Sequence, residues 1–280
     1  MRFALLGIVL ALAQAATDRP AVTVRGRTYT PASILARNMG SVEDQETAFP
    51  PHKVIGNIYY VGTRTLSSFL ITSPEGHILL DTTYERNAKV IQKSIEQLGF
   101  KVADIKVILG NHAHGDHQEG DAIWKEMTGA RVLAMAEDVP ALMQMMPGGR
   151  THPIDGVLHD NDTVNIGSTR LYARLTAGHT RGATTFTMKA GEAGKSYDVV
   201  FFSSLRAPAV STPAIAAEFD RTFPFVRRLP CDVPLGDHPA EYDMQTKYAK
   251  LAAGGPNPFV DSAGCFAEAD IQEAMYRALR

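Results

Sequence analysis

The sequence predicts an α/β protein, and two observations carry that expectation. Short apolar runs bounded by turn residues recur through residues 57–110 and again through 163–235, and segments with three- and four-residue apolar spacing lie between and after them. Their order is a meander of strands followed by strand–helix units, the pattern of sheets with helices on their faces. A third observation bears on use: polar segments carrying histidine follow several of the strands. A chain of 280 residues allows one large domain or two small ones. No linker, short-period repeat or low-complexity tract divides it, so a single domain over residues 16–280 is expected.

Residues 1–15 are set apart from that domain. Met1 and Arg2 give a short positive start, residues 3–12 are an apolar run too short to span a bilayer, and Ala13-Gln14-Ala15 is an A-x-A cleavage site. The expectation is a signal peptide over 1–15 and export to an oxidising compartment. There Cys231 and Cys265 could pair, and two cysteines leave only one connectivity. With 28 Lys plus Arg against 30 Asp plus Glu, no strong field favours nucleic acid or an anionic membrane. A basic patch with interleaved aromatics is also missing. No nucleic-acid or membrane partner is expected. The 45% hydrophobic and 21% charged fractions are those of an ordinary globular chain.

Taken in order, residues 17–51 have weak periodicity, with a short helix expected over 31–38 and Gly40 placed to end it. Strands are expected over 57–61, 67–72 and 77–81, the last two joined by the turn Ser73-Pro74-Glu75-Gly76. His77 reads as a turn-edge residue. Ala88, Ile91, Ile95 and Leu98 recur at helical spacing over 84–98, and Gly99 stops the helix. A buried strand over 105–110, a helix over 122–127 and a strand over 130–135 follow. Residues 136–146 read as a helix ending at Pro147-Gly148-Gly149. Its Met143, Met145 and Met146 are adaptable enough to line a cleft, but packing against the core is the preferred reading. Residues 151–161 are a loop whose His152 and His159, without ligand partners at useful spacing, read as surface residues. Strands over 163–166, 170–176, 184–189 and 199–203 come next. A helix over 215–228 with Phe219 and Phe223 on one face, a last strand over 231–235 and helices over 241–252 and 267–279 complete the chain.

The segment Asn111-His112-Ala113-His114-Gly115-Asp116-His117 places three imidazoles and a carboxylate just beyond a buried strand. In extended backbone, residues two apart point the same way, so His112 and His114 suit one ion and Asp116 and His117 a neighbouring one. Further along, Ala177-Gly178-His179-Thr180 and Gly236-Asp237-His238-Pro239 each set a histidine at a strand end. Strand ends on one rim of a sheet scaffold are where such proteins build sites. The count gives two sets of three, His112, His114, His179 and Asp116, His117, His238. Imidazole with carboxylate suits zinc, and three protein ligands leave the position that a catalytic zinc keeps open for water. Two Zn2+ ions sharing one hydroxide, from water whose pKa falls to about 7, point to hydrolysis.

These same residues, His112-Ala113-His114-Gly115-Asp116-His117, Gly178-His179-Thr180 and Gly236-Asp237-His238-Pro239, resemble the metallo-β-lactamase superfamily, in motif order from about Phe49 onward. The resemblance implies an αβ/βα sandwich, the metallo-β-lactamase fold, with the site at one edge of two facing sheets. Many members place a metal-bridging Asp after a strand between the last two His motifs. Here that strand, Val199-Val200-Phe201-Phe202, ends in Ser203-Ser204. Two β-lactamase subclasses place a Cys ligand there, also missing. The ligand pattern is then similar to class B β-lactamases of subclass 3. Tyr59-Tyr60-Val61-Gly62-Thr63, Gly178-His179-Thr180-Arg181-Gly182 and Leu229-Pro230-Cys231-Asp232 add to the likeness. Cys231 and Cys265 fall where some members have a disulfide, so a bridge between the last strand and the C-terminal helix is expected. The chain departs from the family at Ser203-Ser204-Leu205-Arg206, where Asp-Ser-Leu-Ser is common. Its loops over 147–155 and 210–213 also look shorter than in well-known members.

The resemblance implies a periplasmic di-zinc β-lactamase, a monomer taking small-molecule β-lactams, in which a metal-bound hydroxide opens the lactam ring. Asp116 would also orient the nucleophile. In the family, serines at the positions of Ser204 and Arg206 hold the substrate carboxylate. Ser204 remains, and the fork of donors on Arg206 suits a carboxylate. The alternative within the same fold is hydrolysis of a lactone or thioester, and an exported zinc-binding protein without catalysis is a third expectation.

Overall fold

The structure is a computed structural model that describes residues 20–208 and 212–279; the expected signal peptide, and Val210 and Ser211 of the second short loop, lie outside them. A small hairpin, β1 (Val22–Val24) and β2 (Arg27–Tyr29), leads into α1 (Pro31–Met39). This helix starts where the sequence predicts: Thr30 and Ser33 form a reciprocal capping box, and Pro31 occupies the first turn. It stops at Gly40, whose φ of 56° suits glycine. A one-turn helix, α2 (Val42–Glu46), follows on the Ser41–Asp44 capping box; weak apolar periodicity concealed it.

The first sheet has seven strands in sequence order. β3 (His52–Ile55), β4 (Ile58–Tyr60), β5 (Phe69–Ser73) and β6 (Gly76–Leu80) run antiparallel. After α3 (Ala88–Gln97), β7 (Ile105–Leu109) lies parallel to β6. After α4 (Gly115–Gln118) and α5 (Asp121–Thr128), β8 (Arg131–Met135) is parallel to β7; α6 (Val139–Leu142) then precedes β9 (Gly156–Leu158), parallel to β8. The second sheet has five strands. β10 (Thr163–Ile166), β11 (Thr169–Leu175), β12 (Thr184–Glu192) and β13 (Lys195–Phe202) are antiparallel neighbours. α7 (Pro213–Val226) crosses over to β14 (Val233–Gly236), which pairs parallel to β13, and α8 (Met244–Ala252) and α9 (Ala267–Arg277) end the fold.

Alternation along the strands explains the layers. Phe69, Ile71, Ile78, Leu80 and Leu109 face Leu171, Phe186, Val199, Phe201 and Leu235 of the other sheet in the main core. Their neighbours Leu70, Leu79, Ile108 and Val132 point the other way, onto Ala88, Ile91 and Ile95 of α3 and Trp124 of α5. Beyond the second sheet, Leu205 packs with Phe219, Phe223 and Val226 of α7 and Tyr276 of α9. Each fully buried aliphatic or aromatic side chain contributes about 1.5–3 kcal/mol, so strands apolar on both faces need helices outside both sheets. The result is the αβ/βα sandwich in one domain. No helix among the described residues is long and apolar enough to cross a membrane.

Several local expectations change, and the expected loop over 151–161 contains the strand β9. The helix expected over 136–146 is one 3-10 turn and the four-residue α6, because Met146 precedes a proline and Gly148 takes a φ of 56°. Of its methionines, Met145 packs on Leu142, whereas Met143 and Met146 are half exposed. His152 is not a surface residue. It is buried, with Nε2 3.2 Å from Gln118 O and 3.3 Å from Asp121 Oδ2, partners more than thirty positions upstream that local sequence does not reveal. His77 is likewise buried, in β6 and edge-on to Phe100. The expected bridge is present: Cys231 and Cys265 form a disulfide with Cα atoms 6.1 Å apart, joining the segments that precede β14 and α9.

Candidate metal centre

The carboxyl ends of the parallel strands β6, β7 and β8 and of the parallel pair β13 and β14 meet at one edge of the two sheets. The turn from β11 to β12 joins them there through Thr184 N, which donates to Asn111 O at 2.7 Å. Each functional segment is anchored by a buried carboxylate. Beyond β6, Asp81 (φ 60°) and Thr83 (φ 58°) hold left-handed backbone conformations costly for a β-branched residue. They are held there because Asn111 N donates to Asp81 Oδ1 (2.8 Å) and Thr83 N to His117 O (3.0 Å). Beyond β8, Asp138 accepts from Ala113 N (2.9 Å), Thr180 Oγ1 (2.8 Å) and Gly182 N (2.7 Å). One carboxylate thus ties the loop of His112 and His114 to the loop of His179. Gly178 is required beside His179: its φ is 143°, and a Cβ there would meet the Phe219 ring at 2.7 Å.

All six residues of the two expected sets converge. The ligand atoms of His112, His114 and His179 lie within 4.8 Å of one another, as do those of Asp116, His117 and His238; His112, His117 and Asp237 form a third such group. His114 Nδ1 is 3.1 Å from His179 Nε2, and Asp116 Oδ2 is 3.3 Å from His117 Nε2 and 3.8 Å from His238 Nε2. Outer partners turn four of the rings. His179 Nδ1–H donates to Arg206 O (2.7 Å) and His238 Nδ1–H to Thr65 O (3.0 Å). His112 Nδ1 lies 3.1 Å from Asp237 Oδ2, and His117 Nδ1 3.5 Å from Asp81 Oδ2. Such partners fix the tautomers of His112, His179 and His238 and leave their Nε2 lone pairs pointing inward.

Electrostatics keep most of the rings neutral. Burial, then the neighbouring imidazoles, push His112 well below its ordinary range. Burial, His114 and the Arg206 guanidinium lower His179 to about 3, and burial with His117 lowers His238 to about 4. His117 goes the other way: burial opposes its protonation, but Asp116 and Asp81 outweigh that and raise it. Asp116 also resists burial, and the imidazoles around it, His117 foremost, hold its carboxyl well below the usual carboxylate range. Neutral imidazoles whose lone pairs face one another, an ionised carboxylate, and a buried His117 Nε2 without a hydrogen-bond partner form a donor set that a divalent cation satisfies. The residues fit zinc.

A cleft of about 190 Å³ opens over this cluster. His112, His114, Asp116, His179 and His238 line its floor with Ser204 and Arg206, and α1 contributes Leu35, Asn38 and Met39. Ser204 is buried, and Arg206 has no carboxylate partner among the described residues. Sequence reasoning missed Asp81, Asp138, Asp237 and the α1 wall. Asp237 had a signal, its place beside His238 in Gly236-Asp237-His238-Pro239. Asp138 and Leu35 had none, since only the tertiary fold brings them near the histidines.

The profile of the metallo-beta-lactamase superfamily matches residues 61–193. Among solved structures, the native metallo-β-lactamase of Legionella gormanii is 36% identical, with a TM-score of 0.77 over 84% of this chain and 95% of its own. A subclass B3 metallo-β-lactamase of Bradyrhizobium japonicum is 32% identical, with a TM-score of 0.78 over 85% of this chain and 96% of its own. A class B3 di-zinc metallo-β-lactamase from an Alaskan soil metagenome is 28% identical, with a TM-score of 0.78 over 85% of this chain and 97% of its own. A hydroxyacylglutathione hydrolase of Cereibacter sphaeroides is 39% identical over 79 residues, a match spanning 28% of this chain and 28% of that protein's length. With sequence and fold shared across nearly the whole length of the Legionella and Bradyrhizobium enzymes, the chain belongs to the metallo-β-lactamase superfamily.

Proposed function

We propose that this protein is an exported, periplasmic di-zinc β-lactamase. The observation that carries this reading is the convergence of His112, His114, His179 and of Asp116, His117, His238 at a cleft whose lining includes all of them but the fully buried His117, together with Ser204 and Arg206. The first three residues would hold one Zn2+ and the second three the other. When bound, such a pair supplies Lewis acidity and lowers the pKa of water to about 7.

The chain's own residues do the rest. The Arg206 guanidinium binds the carboxylate beside the lactam nitrogen, with Ser204 Oγ next to it. Asp116, held as a carboxylate by the surrounding imidazoles, accepts a hydrogen bond from the attacking water and orients it toward the lactam carbonyl. Leu35 and Met39 of α1 wall one side of the cleft and keep solvent from the opened amide. Export follows from the signal-peptide pattern over residues 1–15.

A second reading, hydrolysis of a thioester or lactone on the same residues, is favoured by the partial match to the hydroxyacylglutathione hydrolase. Ser203 weighs against it, standing where a carboxylate would complete that kind of site. The test is a panel of β-lactams, lactones and thioesters on zinc-loaded protein, with nitrocefin as the reporter. Nitrocefin turnover that a chelator abolishes and zinc restores is expected; zinc-loaded protein inert to every β-lactam but active on a thioester or lactone would replace the first reading with the second.

A further inference from the structure

Asp237 is buried at 1% exposure. Its Oδ2 lies 3.1 Å from His112 Nδ1 and accepts from Ser204 N at 2.8 Å, while its backbone carbonyl accepts from Ser67 N at 2.9 Å. Among the described residues no Lys or Arg pairs with it, and its Oδ1 has no hydrogen-bond partner. A carboxylate buried without a full-charge partner is costly unless positive charge lies close by. The imidazole it touches belongs to the cluster that fits a cation. Ser203 Oγ also faces His112 Nδ1, but at 3.5 Å, and it is committed to Asn111 O at 3.2 Å. Asp237 Oδ2 is therefore the nearest acceptor facing this ring nitrogen.

The same carboxylate reaches a second ligand through the main chain. By holding Ser204 N it fixes the start of Ser204-Leu205-Arg206, and Arg206 O takes the Nδ1 proton of His179. Two histidines of one set, His112 and His179, thus depend on Asp237. The other set has separate supports, Asp81 for His117 and Thr65 O for His238.

We propose that Asp237 is the positioning residue of the His112, His114, His179 zinc site, aiming His112 Nε2 at the ion and tying that ion to the Ser204–Arg206 segment that receives substrate. This rests on the two-zinc reading above. A carboxylate behind a metal-bound histidine typically accounts for about 10- to 100-fold in metal affinity.

The experiment titrates zinc into metal-free full chain against a competing chelator, for wild type, Asp237→Ala and Asp237→Asn, and records the visible bands of the cobalt-loaded proteins. Wild type is expected to take two ions. Asp237→Ala should lose about 10- to 100-fold for one ion only, with the cobalt bands of that site altered. The other ion should stay within a few-fold, although its ligand His238 is the next residue. Asp237→Asn keeps an oxygen facing Ser204 N and His112 Nδ1 and loses the charge, so an intermediate, several-fold loss for the same ion is expected. Wild-type affinities for both ions in the alanine variant overturn the proposal, as does equal weakening of both. If that variant does not fold, an asparagine variant indistinguishable from wild type overturns it. A wild type that binds no zinc defeats the two-zinc reading and this proposal together, which distinguishes that failure from the others.

Discussion

At the scale of single residues, the cleft assigns different losses to different side chains. Asp116 is the one carboxylate in its set, and an amide neither binds zinc well nor orients water with charge. Asp116→Asn is expected to keep the fold, since the side chain is partly exposed and of the same size, but to lower kcat by at least about 100-fold. Steady-state rates together with metal content check this; activity within a few-fold of wild type would remove Asp116 from the site. Arg206 has another proposed role. If its guanidinium holds the substrate carboxylate equally in ground and transition states, Arg206→Ala raises KM and leaves kcat nearly unchanged. A charge-assisted contact contributes about 1.5–3 kcal/mol. Because Arg206 is only half-buried, screening favours the low end, about tenfold in KM. The rise should shrink as salt increases. Kinetics unchanged across several carboxylate-bearing β-lactams would show that Arg206 does not touch substrate.

At the scale of elements, the site depends on strand ends, and β14 is the one held by a covalent tie. The bridge from Cys231 to Cys265 spans a sequence separation of 34 and encloses β14, the His238 turn and α8. Chain entropy alone makes such a loop worth about 3–4 kcal/mol. The Cys231→Ser/Cys265→Ser double variant is expected to lose about that much in urea unfolding of the metal-free protein, with a slope that rises because the unbridged unfolded chain exposes more surface. Equal midpoints for variant and wild type would show that the bridge restrains a segment already fixed by packing. A second tie at this scale is Asp138, whose three accepted hydrogen bonds join loops carrying ligands of one set.

At the scale of the whole molecule, pH acts through buried imidazoles. His52 does not line the cleft; it sits among Phe49, Tyr60, Tyr248 and Phe259, stacked 5.5 Å from Tyr60 and 5.6 Å from Phe259. Burial lowers its pKa, against the hydrogen bond to Pro50 O. The unfolded chain therefore takes up this proton first as pH falls. The contribution is complete above the ordinary value of about 6.5 and declines as pH drops below it toward the depressed folded value. The lowered imidazoles of His112, His179 and His238 add to the same loss as pH falls below about 6.5, so the check is a comparison of variants. Thermal midpoints of the chelated protein from about pH 7.5 to 5 should fall more steeply for wild type than for His52→Phe, whose ring keeps the stacking without the proton. Parallel curves would show that His52 does not contribute to acid lability.

The sequence by itself determined the strand–helix order, the apolar alternation that makes two sheets and two helical layers, and the ligand-type residues His112, His114, Asp116, His117, His179 and His238. These are local facts: a period of two or 3.6 residues, a cap, or a histidine beside a glycine at a strand end is written in a few adjacent letters. The expected strands and helices are recovered with ends shifted by a few residues, except over 136–146, where Pro147 and Gly148 cut the helix short. Only the tertiary structure decided which side chains stand behind the candidate ligands. Asp81, Asp138 and Asp237 reach histidine-bearing loops across separations of 25 to more than 100 residues, and Leu35 arrives from a helix outside the sandwich. His152 changed from surface to core for the same reason. A polar residue's environment is set by the elements packed against it, and a carboxylate that orients a ring through one 3.1 Å contact leaves no periodic trace in the chain.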